Sequence, residues 1–278
     1  MAPDGLTFAG LDLNTRAIGF VDLSGALALP ERRGDNVAVE GRHGTVRAAR
    51  KKYGGRIAPF ELLVTARTPA GALPANLDAQ LDTNLRELGA ALASDVAPLV
   101  HTLPDGTARQ VQAECRAAVT PERGKAGRLV RVKVAFESHE AFWRALTPTT
   151  TGAVPLADGA TRLLTEFALS DGPIDDPVIT FGEGTNPVLT DTATSVFVAY
   201  DAVIGAGQTL VLDCADWSGT GTGGLTFDRT LLRTTPGEGR WFGLDPVRGT
   251  APTIRLDHNG GATPMNVTIS ARQSWMFG

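Results

Sequence analysis

The stretch "NLDAQLDTNLRELGAALAS", residues 76–94, is the one segment of this 278-residue chain that carries a helical period. Leu77, Leu81, Leu85, Leu88 and Leu92 are spaced 4, 4, 3 and 4 residues apart, which places all five on one face of an α-helix. Asn76 offers an N-cap, Asp78 and Asp82 suit the positive end of the helix dipole, and Pro98 lies beyond the end. The spacing predicts a helix over 76–93. Nothing around it shares that period. The segment therefore decides the fold class: a mainly β protein with one helix.

Working outward, residues 6–29 read as short strands, "LTFAGLDL" and "AIGFVDL", broken by glycines. "NVAVE" (36–40) alternates apolar and polar residues, and "IAPFELLVTA" (57–66) is rich in apolar ones; both predict strands. Between them, "GRHGTVRAARKKYGGR" (41–56) has glycine at both ends, many basic residues and no helical stripe. It predicts a long basic loop or an extended hairpin arm. Beyond the helix, "VHTLPDGTARQVQAECRAAV" carries a Pro104-Asp105-Gly106 turn between two extended runs, a hairpin signature. "LVRVKVAFE" (129–137) alternates strictly and predicts a further strand. "SHEAFWRALTPTTTGAVP" then loses periodicity, which sets a domain boundary near 145–155. The expected units are 1–148 and 149–278.

The second half reads as β throughout, with expected strands at 163–169, 178–181, 187–190, 195–200, 208–213, 225–227, 240–244, 253–256 and 266–272. Their spacing of about 8–14 residues, with turn residues between, predicts an antiparallel sandwich. Charge divides along the same line. Up to Pro148 there are 19 Lys+Arg against 16 Asp+Glu, and beyond it 7 against 14, giving +3 and −7 within the net −4. That asymmetry fits two units, and the first is not basic enough to argue for nucleic acid.

Composition excludes several classes. Hydrophobic residues make 42% and charged residues 20% of the chain, as in globular proteins. No run approaches the roughly 18 apolar residues of a membrane helix. "MAPDGLTFAG" shows neither the basic start nor the apolar core of a secretory signal. Cys115 and Cys214 are read as free thilols of a reducing cytoplasm, not a disulfide framework.

Candidate chemistry is sparse. His43, His101, His139 and His258 are scattered without metal-ligand spacing, so no metal is expected. Neither a G-x-S-x-G elbow nor a cofactor motif is present, and no enzyme activity or cofactor is expected. "GTGTGG" (219–224) lacks the following helix of a phosphate loop, because "LTFDRTLL" is strand-like; it is read as a loop. "DGPIDDP" (171–177) clusters aspartates between prolines and is read as a turn, not a carboxylate pair or calcium loop. Trp217 and Trp241 are the candidate sugar contacts should they face outward, with core filling as the alternative. Arg42, Arg47, Arg50, Lys51, Lys52 and Arg56 of the basic arm are the candidate protein-interface residues. Arg33-Gly34-Asp35 spells the cell-adhesion tripeptide, but Gly, Asp and Asn36 favour turns, and the turn reading is preferred.

The order of "LPERRGDNVAVEGRHG", "YGGRIAPFELLV", the lone helix and "VRVKVAFESHEAFW" resembles the distal tail (Dit) proteins of siphoviruses, in the version found as minor tail proteins of actinobacterial phages. "FGEGTNPVLTDTATSVFV" and "AGQTLVLD" are similar to stretches of the family's C-terminal domain. The resemblance implies an N-terminal split β-barrel with one helix, related to tail-tube proteins, and a C-terminal galectin-like β-sandwich. It implies six copies in a ring that joins the tail tube to tail-tip lysin or fibre proteins, assembled in the host cytoplasm. Its motifs are structural, so no catalytic residue is carried over.

Overall fold

The computed structural model describes residues 4–22, 24–27, 29–30, 32–33, 37–38, 45–46, 52–118, 122–123, 128–236, 240–246, 250–259 and 263–277. The chain forms two compact units. The first comprises Met1–Arg144 and Met276–Gly278, and the second Ala145–Trp275. The second unit is thus an insertion: the chain leaves the first unit at Arg144 and returns to it at Met276.

The first unit is built on one large antiparallel sheet and one α-helix. Its strands are β1 (Gly5–Phe8), β2 (Leu11–Asp12), β3 (Ile18–Asp22), β4 (Arg56–Thr65), β5 (Ala97–Thr102), β6 (Ala108–Ala118) and β7 (Leu129–Ser138). They hydrogen-bond in the order β2-β1-β5-β6-β7-β4-β3. The edge strands β2 and β3 are sequence neighbours separated only by residues 13–17, so the sheet must curl back on itself into a nearly closed barrel. A turn held by Thr15 N–H donating to the Ile18 carbonyl at 2.7 Å makes that return. The longest ladder joins β4 to β7 from Leu129↔Thr65 to Ser138↔Arg56 without a register shift. Its alternation turns Ala58, Phe60, Leu62 and Val64 inward against Phe136, Val134, Val132 and Val130. Phe8, Phe60 and Phe136 meet at the centre, with ring centroids 4.6 and 5.7 Å from Phe136.

Helix α1 (Leu77–Leu92) forms where the leucine spacing predicts it, and the Asn76 side chain accepts from Ala79 N–H. Its buried residues are Leu81, Leu88 and one the leucine stripe does not include, Asn84. The Asn84 amide donates to the carbonyls of Thr65 at 2.7 Å and Arg67 at 2.9 Å, and accepts from the Gln80 side chain. A polar side chain is tolerated there because it satisfies the backbone where β4 ends.

The second unit holds two antiparallel sheets around a common core. One runs Thr149–Thr150, Met265–Ala271, Val178–Phe181, Thr209–Asp213, Ser218–Thr222; the other runs Ala160–Leu163, Thr253–Asp257, Val188–Asp191, Phe197–Tyr200, Leu232–Thr234. Phe167, Phe181, Tyr200, Trp241 and Phe242 belong to the buried cluster they share.

Three expected strands are corrected. Residues 163–169 hold only the end of a strand, because the chain winds into a 3-10 turn at Thr165–Phe167 that buries Phe167. Residues 240–244 contribute a single bridge, Ile174↔Leu244, and 225–227 form no strand. The strand is instead the glycine run itself, Ser218–Thr222, paired with Thr209–Asp213. Its glycines are sterically required. A Cβ on Gly219 would stand 2.6 Å from the Phe227 ring, and one on Gly221 would stand 2.2 Å from the Leu225 carbonyl oxygen. The chain after the glycines folds back over this strand, which a run of side chains would block.

Two measurements check this account by urea unfolding. Asn84→Ala is expected to destabilise by about 1–3 kcal/mol, the cost of leaving buried carbonyls unpaired, against about 1 kcal/mol for the cap variant Asn76→Ala. Gly219→Val is expected to cost about 1–3 kcal/mol through overpacking against Phe227, whereas Thr220→Val on the exposed face stays within about 0.5 kcal/mol.

Candidate functional surfaces

In the basic segment of the first unit the described residues form two short antiparallel pairings: Arg32↔Tyr53 with Arg33↔Lys52, the root pairing, and Val37↔Val46 with Ala38↔Thr45. These pairs form separate two-stranded ladders rather than extensions of the barrel sheet. Of the expected interface residues, Lys52 lies in the root pairing, while Arg42, Arg47, Arg50 and Lys51 fall outside the described residues. So do Gly34 and Asp35 of the adhesion tripeptide; Arg33 is in the root pairing.

Arg56 departs from the expectation that it belongs to a solvent-facing arm. It is 1% exposed and occupies the inward position opposite Ser138 on the first rung of the β4–β7 ladder. Strand parity put it there: Ala58, Phe60, Leu62 and Val64 point inward, so position 56 does too. Its Nη2 donates to the carbonyls of Ala141 at 3.0 Å and Met276 at 2.5 Å, and its guanidinium carbon lies 5.7 Å from the centre of the Trp143 ring. Burial lowers its pKa to about 10, still far above neutral, so the charge remains. The arginine clamps the returning chain end to the barrel, and Arg109 adds a second hold through Nη1 on the Phe277 carbonyl at 2.7 Å.

In the second unit, four aromatic rings run from the core to the surface. Tyr200 stacks on Phe227 at 5.9 Å, Phe227 meets Trp241 at 6.4 Å, and Trp241 meets Trp217 at 6.0 Å with a 60° tilt. The two tryptophans therefore differ. Trp241 is 3% exposed and fills the core, whereas Trp217 is 43% exposed. Arg229 sits over Trp241 at 5.6 Å. Trp217 closes the turn between Asp213 and Ser218, where the Asp213 carboxylate accepts from the N–H groups of Ala215 and Asp216. Its φ is +53°, a backbone state that costs a bulky residue on the order of 1–3 kcal/mol.

The remaining candidates resolve into structure. Asp175 of "DGPIDDP" pairs with Arg240, which also holds Asp245 at 2.9 Å. Burial pulls the Arg240 pKa down, but Asp245 and Asp175 outweigh it and leave it above the ordinary value. This ion-paired arginine, unremarked in the sequence, ties the loop of Asp175 to the chain after Trp241. His258 is buried, its ring Nε2 3.3 Å from the Leu156 carbonyl; His101 is buried 3.8 Å from Asp4; His139 is exposed; and His43 lies outside the described residues. Among the described residues no three His, Cys, Asp or Glu side chains converge as a metal site. Cys214 is buried and its thiol is pushed up to about 12, chiefly by desolvation.

No protein-family model matches the chain, and no curated protein matches it in sequence. Its fold has solved counterparts. The Dit protein (gp 19.1) of phage SPP1, described as a paradigm of hub adsorption apparatus in phages infecting Gram-positive hosts, superposes with a TM-score of 0.61. It is 13% identical, over 98% of this chain and 99% of that one. The baseplate of phage P2 in its activated conformation gives weaker likenesses: TM-score 0.44 and 8% identity with Ca, and 0.43 and 9% with Sr, each over the whole of both chains. At these identities the likeness is one of fold.

Arg56→Gln is expected to destabilise the protein by about 2–4 kcal/mol, because it removes a charged donor and leaves buried carbonyls unpaired. Single alanines at Arg42, Arg47, Arg50 or Lys51 are expected to change stability by less than about 0.5 kcal/mol. Chemical denaturation followed by tryptophan fluorescence, with Trp143 beside the substitution, reads the difference.

Proposed function

We propose that this chain is a structural hub subunit of a siphovirus tail tip, of the distal tail type carried by actinobacterial phages. The observation that carries the reading is the full-length fold likeness to SPP1 Dit, which spans both units in order rather than one common module. In this reading the first unit, residues 1–148 as read from the sequence, builds a closed ring of six copies through head-to-tail contacts. The second unit, 149–278, is a galectin-like sandwich at the ring's periphery. The ring joins the tail tube on one side to tail-tip lysin or fibre proteins on the other. It is assembled in the host cytoplasm and resides in the virion. No catalytic step, cofactor, nucleic acid or membrane enters the role.

The arm supplies physical support for the contacts. Two short ladders that do not join the barrel sheet are marginal in water by themselves and gain stability when packed against another surface. Arg42, Arg47, Arg50, Lys51 and Lys52 would steer them toward an acidic neighbour, and exposed strand edges of the first unit would pair across copies.

Light scattering and negative-stain imaging of the purified chain test the proposal. Six-fold rings are expected, with a loss of rings but a retained fold when residues 34–51 are replaced by a two-residue turn. A chain that remains monomeric at about 100 µM, well above the Kd range of stable interfaces, overturns the reading.

A further inference from the structure

We infer that neighbouring copies of the first unit meet through two unlike patches. One is an apolar row with a cationic end; the other, on the next copy, is the acidic outer face of α1. These surfaces presuppose the closed ring proposed above and supply the contact that closes it. The row lies on the segment that runs antiparallel beside β4. The β3–β4 ladder ends at Asp22↔Glu61, a Cβ on Gly25 would stand 2.2 Å from the Pro59 carbonyl oxygen, and Arg32↔Tyr53 resumes the pairing. Along this course Val21, Leu27 and Leu29, with Ile57 on the outward side of β4, are each at least half exposed. They are four of the seven exposed large apolar residues described in the first unit, the others being Leu73, Val96 and Phe277. Gathered on one sheet edge, they mark a docking surface rather than scatter. Arg32, Arg33 and Lys52 follow in register, and residues 30–53 carry seven Lys+Arg against three Asp+Glu, which makes that end cationic.

The complement is on the same chain but out of its own reach. Asn84 ties α1 to the opposite end of β4, at the carbonyls of Thr65 and Arg67. About 26 Å of strand separates that anchor from Ile57. α1 turns Leu81, Asn84 and Leu88 inward and leaves Ala79, Thr83 and Ala90 exposed along its outer face. By helical spacing Asp78 and Asp82 border that strip on one side and Glu87 on the other, all three exposed. Arg86, the one cation of α1, is paired with Asp82 at 2.8 Å. Small side chains let leucines seat closely, and the carboxylates complement the cations beside the row. Unlike patches at opposite ends of one strand cannot satisfy each other within a copy. Between copies they make a heterologous, head-to-tail contact, the kind from which rings are built.

Two double variants of the full chain test the pairing by analytical ultracentrifugation. Leu27→Asn with Leu29→Asn spoils the row, and Asp82→Lys with Glu87→Lys spoils the helix face. Every substituted site is exposed, so the melting temperature is expected to stay within about 3 °C of wild type. The wild-type chain is expected to sediment as the ring and each variant alone as a single chain. An equimolar mixture of the two variants is expected to stop at a dimer, because each partner retains one intact patch of the pair. A self-complementary interface would give no such mixed dimer. If the wild type assembles and either variant assembles equally well, or the mixture stays monomeric, this pairing is overturned while the ring reading stands. If the wild type itself stays monomeric, both fall.

Discussion

The register between β4 and β7 is the constraint on which the first unit depends. Ten rungs run without interruption, and their parity decides which side chains are inside. A one-residue slip of β4 would turn Phe60, Leu62 and Val64 outward together, and a slip of β7 would do the same to Val130, Val132, Val134 and Phe136. Such a slip is forbidden by the summed burial of those groups, each worth about 1.5–3 kcal/mol. The same parity draws Arg56 inward, where water cannot solvate its charge. Two carbonyls that accept from Nη2 and the Trp143 ring take over part of that task, with Nε and Nη1 left without a hydrogen bond, and one of those carbonyls belongs to the returning chain end. A register set by hydrophobic packing thereby creates the polar clamp that anchors the last residues.

That clamp matters for topology. The second unit begins after Arg144 and ends before Met276, so its two connections to the first lie about 130 residues apart in sequence. Arg56 and Arg109 hold the returning residues Met276 and Phe277, and the short strand Trp143–Ala145 pairs with β6.

Within the second unit, glycines occupy a strand and a tryptophan occupies a left-handed turn, the reverse of their usual places. The glycines follow from the backbone and Phe227 folding over the Ser218–Thr222 strand. The strand must be bare to admit them, and the ring row they complete ends at the turn. The Arg240 pairs with Asp175 and Asp245 secure the adjacent loop in the same region.

Legibility in the sequence followed the range of the forces. The helix, its Asn76 cap, the Pro104-Asp105-Gly106 hairpin and the alternating strands were all readable, because leucine spacing, capping and turn chemistry act within a few residues. Position 56 was also readable in principle by parity from Ala58 to Val64, yet its positive charge pointed to solvent; only the paired strand β7 and the distant carbonyl of Met276 made a buried guanidinium acceptable. Asn84 was hidden for the same reason, its partners lying on the end of another strand. The glycine run looked like a loop since the ring that excludes side chains from it comes from Phe227, folded back from beyond the following turn. Local chemistry thus determined the helix, its cap, the hairpin turn and the alternating strands, whereas the glycine strand, the exposure of Trp217, the burial of Trp241 and the clamp at Arg56 were decided by contacts between segments far apart in the chain, which no local pattern encodes.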